Sequence, residues 1–213
     1  MNSKGFLQIP LIFCIIFFLF CFIVLNFHEI CSQELTKKKI DICCTWGTEL
    51  KDGILTYNIK KGSNNDFEKI VNSAFSEWEK NLNYIQFKNI KNNKEADIEI
   101  KVKNENSDQE GGQAIIYFDN KGFIDNVEIS VSKISNGENL NQTILEHLTK
   151  HEIGHALGLG HSQFLNTLMY PVVHEAITIL SECEIDAVKD ANNWKFIKNN
   201  KKPKMIKQSA YIC

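Results

Sequence analysis

The segment that most constrains the fold runs from His151 to His161 and reads HEIGHALGLGH. Residues four apart on an α-helix lie about 40° from one another around the axis, so His151 and His155 project side by side. Two imidazoles in that arrangement can bind one zinc ion. Gly158 follows one turn later, where a left-handed residue ends a helix at little cost and turns the chain back. The sequence therefore predicts a helix, a turn and a third zinc ligand at His161.

Glu152 lies beside His151 on the same turn, too far round the axis to be a comfortable ligand. It is well placed to take a proton from a water molecule held by the metal. Three protein ligands leave one coordination position open, which distinguishes a catalytic zinc site from a closed structural one, and zinc in such a site lowers the pKa of its water to about 7. These residue types predict a hydrolytic centre with Glu152 as the general base.

A second motif, TLMYP, runs from Thr167 to Pro171, and Ser162 comes directly after the third histidine. Together the two motifs resemble the metzincin metalloproteases, in which a Met-turn passes beneath the metal, and Ser162 resembles the matrixin version. Met169 is then the methionine of that turn. The resemblance implies a zinc-dependent endopeptidase with one catalytic zinc, which hydrolyses peptide bonds of extracytoplasmic proteins through zinc-activated water.

Local patterns elsewhere predict strands at 54–59, 84–87, 96–102, 113–118 and 126–131. An apolar stripe of helical period predicts a helix over 65–82, and the helix that carries the zinc motif is expected to begin near 139–141. Ser181 and Glu184 form a capping box before a last helix. AFxxW from Ala74 and ADI from Ala96 also resemble matrixin landmarks. The resemblance thus covers about 46–194 and implies an α+β metzincin fold: a twisted five-stranded, mostly parallel sheet with one antiparallel edge strand and three helices.

In the family, the strand at 113–118 is the sheet edge above the cleft, where an extended peptide forms main-chain hydrogen bonds. The expected substrate-binding residues come from this edge, from the helix and from the Met-turn: Gly112, Gln113, Ala114, Ile115, His147, Tyr170 and Pro171. His147, one turn before His151, lies too far along the helix to share the ion. Its position in the family implies that it lines the pocket for the side chain after the scissile bond, with a preference for medium apolar residues.

Two features depart from the matrixin pattern, and one alternative stays open. No histidine occurs between His28 and His147, so the second, structural zinc of matrixins is not expected. The segment whose cysteine caps the zinc of latent matrixins is absent, and Cys43 and Cys44 are interpreted as disulfide partners or free thiols. Asp119 and Asp125 leave Ca²⁺ binding open as an alternative, although two aspartates without a ligand loop usually form turns.

Residues 9–25 form an apolar run preceded by Lys4, at the lower length limit for crossing a bilayer and without a small-x-small cleavage site after it. The run favours an uncleaved signal anchor over a cleaved signal peptide. We therefore expect a signal anchor or signal peptide at 1–28, a linker at 29–45, the catalytic domain at 46–197 and a lysine-rich tail at 198–213. The anchor implies a membrane partner for this segment.

Five cysteines lie outside the apolar run, at positions 31, 43, 44, 183 and 213. A disulfide that joins the ends of the domain is reasonable outside the cytoplasm, and the pairing stays open. With the apolar run, this places the domain in an extracytoplasmic location, membrane-anchored or secreted after cleavage.

The net charge of −2 decides nothing about partners, and no nucleic-acid motif is present. The resemblance implies a polypeptide substrate, and we expect a monomer. A zinc-stabilised binding module and a hydrolase of non-peptide amides are the competing functions. Glu152 disfavours the binding module, because a structural site needs no base.

Overall fold

The computed structural model describes residues 38–60, 65–91, 95–103, 111–135, 137–173, 179–196 and 209–213. The secondary-structure elements, in chain order, are β1 (Lys39–Ile42), β2 (Ile54–Ile59), α1 (Asn65–Leu82), β3 (Gln86–Asn89), β4 (Ile98–Lys103), β5 (Gly112–Phe118), β6 (Ile124–Ser132), β7 (Ile134–Ser135), β8 (Glu138–Asn139), α2 (Gln142–Ala156), β9 (Leu159–Ser162), α3 (Glu182–Ala191) and β10 (Ser209–Ile212). Short 3-10 helices lie at Thr48–Leu50 and Asn193–Phe196. The apolar run at 9–25 lies outside the described residues. Within those residues, no helix has both the length and the apolar character needed to cross a membrane.

The central sheet has five strands in the order β3-β2-β4-β6-β5. The first four strands of that order are parallel, and β5 runs antiparallel to β6. In β4, Ile98 and Ile100 are buried while Glu99, Lys101 and Val102 are not, so one face of the strand packs inward over its first three residues. The predicted sheet, with its single antiparallel edge strand, and the three α-helices are confirmed.

Helix α1 packs its apolar stripe inward and lies against α2. All seven predicted stripe residues are buried: Phe67, Ile70, Val71, Ala74, Phe75, Trp78 and Leu82. The Trp78 indole donates a hydrogen bond to the carbonyl oxygen of Lys150, at 3.2 Å. The Lys150 ammonium is itself buried, and it pairs with Glu77 of α1 and, at 2.7 Å, with Glu146 of α2. A buried charge needs such partners, so this cluster fixes the two helices against each other.

A second, three-stranded sheet has the order β10-β1-β9, and all of its pairs are antiparallel. Strand β1 lies inside the expected linker, and β10 lies inside the expected tail, so regular structure extends beyond 46–197 at both ends. A disulfide joins Cys183 of α3 to Cys213, the residue after β10. Both strands are short, and their pairing depends on backbone hydrogen bonds between distant segments. Such pairing leaves no periodic signal in the sequence.

Candidate active site

Helix α2 and strand β9 bring three histidines together. Asn141 caps the helix, because its side-chain oxygen accepts a hydrogen bond from the Ile144 N–H at 2.9 Å. Helical geometry then places His151 and His155 on one face. Gly158, with a φ of 100°, turns the chain into β9, which carries His161. One ring nitrogen from each histidine lies within 4.8 Å of the other two, so the three residues could hold one metal ion.

The hydrogen bonds of the two helical histidines fix which nitrogens are available. Nδ1 of His151 lies 2.6 Å from the carbonyl oxygen of Leu168, and Nδ1 of His155 lies 2.9 Å from that of Leu159. Because a carbonyl oxygen only accepts, both Nδ1 atoms carry the hydrogen, and both Nε2 atoms have a lone pair. The two Nε2 atoms lie 3.1 Å apart. Two lone pairs at that distance repel each other unless a cation lies between them, which suits a zinc site.

The electrostatic environment keeps these rings neutral. Burial, together with the neighbouring His155, lowers the pKa of His151 from 6.5 to about 3. Burial likewise lowers the pKa of His155 to about 4. The pKa of the more exposed His161 is also lowered by burial, while Asp41 nearby acts in the opposite direction. Metal binding requires neutral imidazoles, and this is their state at neutral pH.

The C-terminal end of α2 is held by side chains from outside the motif. The buried Trp46 indole donates to the carbonyl oxygen of Ala156 at 2.8 Å, and the Asn192 amide donates to that of Leu157 at 3.1 Å. These bonds satisfy carbonyl groups that a helix end otherwise leaves without partners. The position of the helix end, from which the chain turns towards His161, is therefore fixed.

Glu152 is 4% exposed and lies against the edge strand. A Cβ atom at Gly112 of β5 would stand 2.9 Å from both Cγ and Cδ of Glu152, closer than real Cβ atoms approach. The absence of a side chain at position 112 thus lets the strand pass directly beside the carboxylate. Glu152 and the three histidines all line one cleft of about 790 Å³.

The segment around Met169 forms a tight turn beneath the histidines. Met169 is fully buried, and a Cβ at Gly154, between the two helical histidines, would lie 2.5 Å from its sulfur. Glu184 of α3 is also fully buried, and it accepts hydrogen bonds from the Thr167 hydroxyl and, at 2.9 Å, from the Leu168 N–H. The predicted capping box of Glu184 is confirmed. Its contact with the turn was missed, because only the fold brings the two segments together.

The structure places five of the seven expected substrate-binding residues along the cleft: Gly112, Gln113, Ala114, Tyr170 and Pro171. The side chain of Ile115 is 43% exposed and does not line the cleft, and the main-chain hydrogen bonding expected of this residue stays a prediction. His147 does not line it either. Its ring is buried, 6.2 Å from that of His151, and Ile144 and Leu148 face the cleft from this part of α2.

Asp119, the first aspartate of the alternative calcium site, forms a turn. Its Oδ1 atom accepts hydrogen bonds from the N–H groups of Lys121 and Phe123, at 2.8 and 2.9 Å. These bonds lower the pKa of the carboxyl group. Among the described residues, the cluster of potential metal ligands consists of His151, His155 and His161. Asp119 therefore acts in the described structure as a turn residue.

Comparison with known families gives one match. Residues 45–191 match the sequence model of the family Peptidase M10, described as matrixin. The matched span covers more than half of the chain and includes the three histidines, Glu152 and Met169. A search of curated proteins found no match.

Proposed function

The chain belongs to the matrixin family and is a zinc metalloendopeptidase of the metzincin type, and we propose that His151, His155 and His161 bind its zinc while Glu152 is the general base. The observation that carries the ligand assignment is the pair of Nε2 atoms held 3.1 Å apart by backbone carbonyls. His161 completes a set of three nitrogen donors, which suits a catalytic zinc with an open position.

Bound zinc supplies Lewis acidity, polarising the peptide carbonyl and lowering the pKa of water. Glu152 is the general base: its carboxylate takes a proton from the attacking water molecule. The same carboxyl group then donates that proton to the leaving amine, so that Glu152 ends the cycle as it began. Its low exposure and its contact with Gly112 restrict where the carboxylate can lie. No covalent bond to the protein is needed.

The cleft supports an extended polypeptide as substrate. Strand β5 pairs with β6 along one side, and Gly112, Gln113 and Ala114 border the cleft. We propose that the substrate forms main-chain hydrogen bonds along this edge. Leu140, Ile144 and Leu148 line the cleft as well, which favours a medium apolar side chain such as leucine after the scissile bond.

Matrixins are typically extracellular or secreted, and we propose that the substrates are extracytoplasmic proteins. The Cys183–Cys213 disulfide supports an oxidising compartment. For the domain organisation we propose a catalytic unit from Lys38 to Cys213, which forms one compact unit. It is longer than the expected 46–197 because the strands at both ends pair with each other.

A peptide-library experiment tests the proposed function. The purified chain is incubated with unmodified peptides alone, with a zinc chelator, and with zinc restored after chelation. We expect cleavage that the chelator stops and zinc restores, with apolar residues enriched after the cut. Glu152→Gln, which keeps the size of the side chain, is the matched control and should bind zinc but not cleave. Retention of zinc without any peptide cleavage by the wild type would favour the binding module or the non-peptide hydrolase.

A further inference from the structure

The third histidine lies on a strand that pairs with β1, outside the central sheet. Ile40 pairs with Ser162 and Ile42 pairs with Leu159, and the register shifts between these two pairs. Asp41 alone therefore stands opposite two residues of β9, Gly160 and His161, which is a β-bulge. Bulges bend a strand and redirect its side chains, and they are frequent beside active sites.

The bulge is closely packed against β1. A Cβ atom at Gly160 would lie 2.9 Å from the Cβ of Asp41 and 3.2 Å from its carbonyl oxygen. Backbone hydrogen bonds fix the strand on both sides of the bulge: the Cys43 N–H donates to the Gly158 carbonyl oxygen at 3.0 Å, and the Gln163 N–H donates to that of Lys39 at 3.3 Å. The direction of the His161 side chain thus depends on where β1 lies.

Strand β1 is held in turn by the C-terminal end of the chain. It pairs residue by residue with β10, from Lys39 with Ile212 to Ile42 with Ser209. The Cys213 N–H donates to the Lys38 carbonyl oxygen at 2.8 Å, and the disulfide to Cys183 ties this end to α3.

We propose that β1, held by β10 and the Cys183–Cys213 disulfide, positions His161 as the third zinc ligand. This inference rests on the proposed function, because it requires that His161 binds the metal. Helix α2 places His151 and His155 side by side, and the carbonyl groups of Leu168 and Leu159 orient their rings. His161 instead lies on a strand whose neighbour β1 is held by the other end of the described chain. Residues 209–213 are therefore positioning residues that act through β1.

A double-mutant cycle on the full chain tests the proposal. Zinc affinity is measured by competition with a chromophoric chelator for the wild type, a deletion of 209–213, His161→Ala, and the combination. The deletion should lower zinc affinity by about 10- to 100-fold, the usual effect of removing support for a ligand. In the His161→Ala background the same deletion should change it by less than about twofold, because its effect passes through His161.

A second variant covers the case in which the deletion does not fold. Cys183→Ser with Cys213→Ser keeps every strand residue, and it should lower zinc affinity less than the deletion, again only where His161 is present. An equal loss in both backgrounds, or no loss from either variant while His161→Ala alone weakens binding, would overturn the proposal. If His161→Ala leaves zinc affinity unchanged, the ligand assignment fails, and this inference fails with it.

Discussion

The two histidines on α2 and the third on β9 serve one site but are held by different kinds of structure. His151 is 7% exposed, and its Nδ1 atom is bonded to a carbonyl of the buried Met-turn. His161 is exposed and depends on a bulge between short strands. Local helical spacing is enough to bring His151 and His155 together, and a distant segment only orients the His151 ring. A ligand on a strand needs distant segments to bring it to the site at all.

The largest effects are expected when one ligand on α2 or the ligand on β9 is removed. His155→Ala and His161→Ala should each weaken zinc binding by more than the roughly 10- to 100-fold loss seen for residues that only support a ligand. Peptide cleavage at limiting zinc should be lost in both. Zinc content after dialysis against a chelator measures the effect. The matched control is His147→Leu, which should keep its zinc because His147 lies outside the three-histidine group.

Removing the base leaves both sets of ligands in place. Glu152→Gln should lower kcat/KM by about two or more orders of magnitude, the usual contribution of a general base, while zinc content stays at the wild-type level. Initial rates on one peptide, with zinc measured in the same samples, test this. A variant that cleaves as fast as the wild type would show that another group takes the proton.

Gly112 of the edge strand and its neighbour Gly111 allow a matched test of how the position of Glu152 on α2 affects catalysis. Gly112→Ala should lower kcat/KM by about 10- to 100-fold, because the new Cβ displaces Glu152. At Gly111 a Cβ would meet only the flexible end of Leu148, at 3.0 Å, so Gly111→Ala should cost less. Steady-state kinetics of the two variants decide the matter, and equal losses would show that the strand backbone, rather than the carboxylate, is disturbed.

The last expected effect is a pH dependence of the stability of the zinc-free protein. Burial lowers the pKa of His151 to about 3 and that of His155 to about 4. Between pH 6.5 and these values, the two histidines are protonated in the unfolded chain but not in the folded chain. The free energy of unfolding is then highest above pH 6.5 and falls as the pH falls towards 4.

Urea unfolding at pH 7 and pH 4.5, in the presence of a chelator, measures this difference. His151→Ala should remove more of it than His161→Ala, because His161 is the more exposed of the two. Identical pH dependence in the two variants would mean that the helical pair is no better shielded from water than the third ligand.

The sequence predicted those features whose cause is local. The apolar stripe of α1, the start of α2 near 139–141 and the capping box of Glu184 are each set within a turn or two of helix, and all are present in the structure. The order and direction of the central strands came from the resemblance to the family. The burial of Lys150 could not be predicted, because its partner Glu77 lies on another helix.

The missed features share a different cause. Strands β1 and β10 have four residues each, too few for a recognisable period. The backbone hydrogen bonds that pair them do not require particular side chains, so the sequence does not indicate the pairing. His147 was placed there by analogy with the family, whereas the packing of α2 buries it.

Among the residues that the structure describes, β5 is an edge strand of the central sheet, and this has a consequence for the behaviour of the protein in solution. An edge that accepts a substrate strand also accepts the edge of any other extended chain, and natural proteins usually protect such edges with charges or prolines. Here the strand instead exposes Ile115, Tyr117 and Phe118, at 43%, 42% and 52%. The feature that admits a substrate therefore makes self-association through β5 a standing risk. A peptide inhibitor bound along this edge should keep concentrated protein soluble as well as inactive.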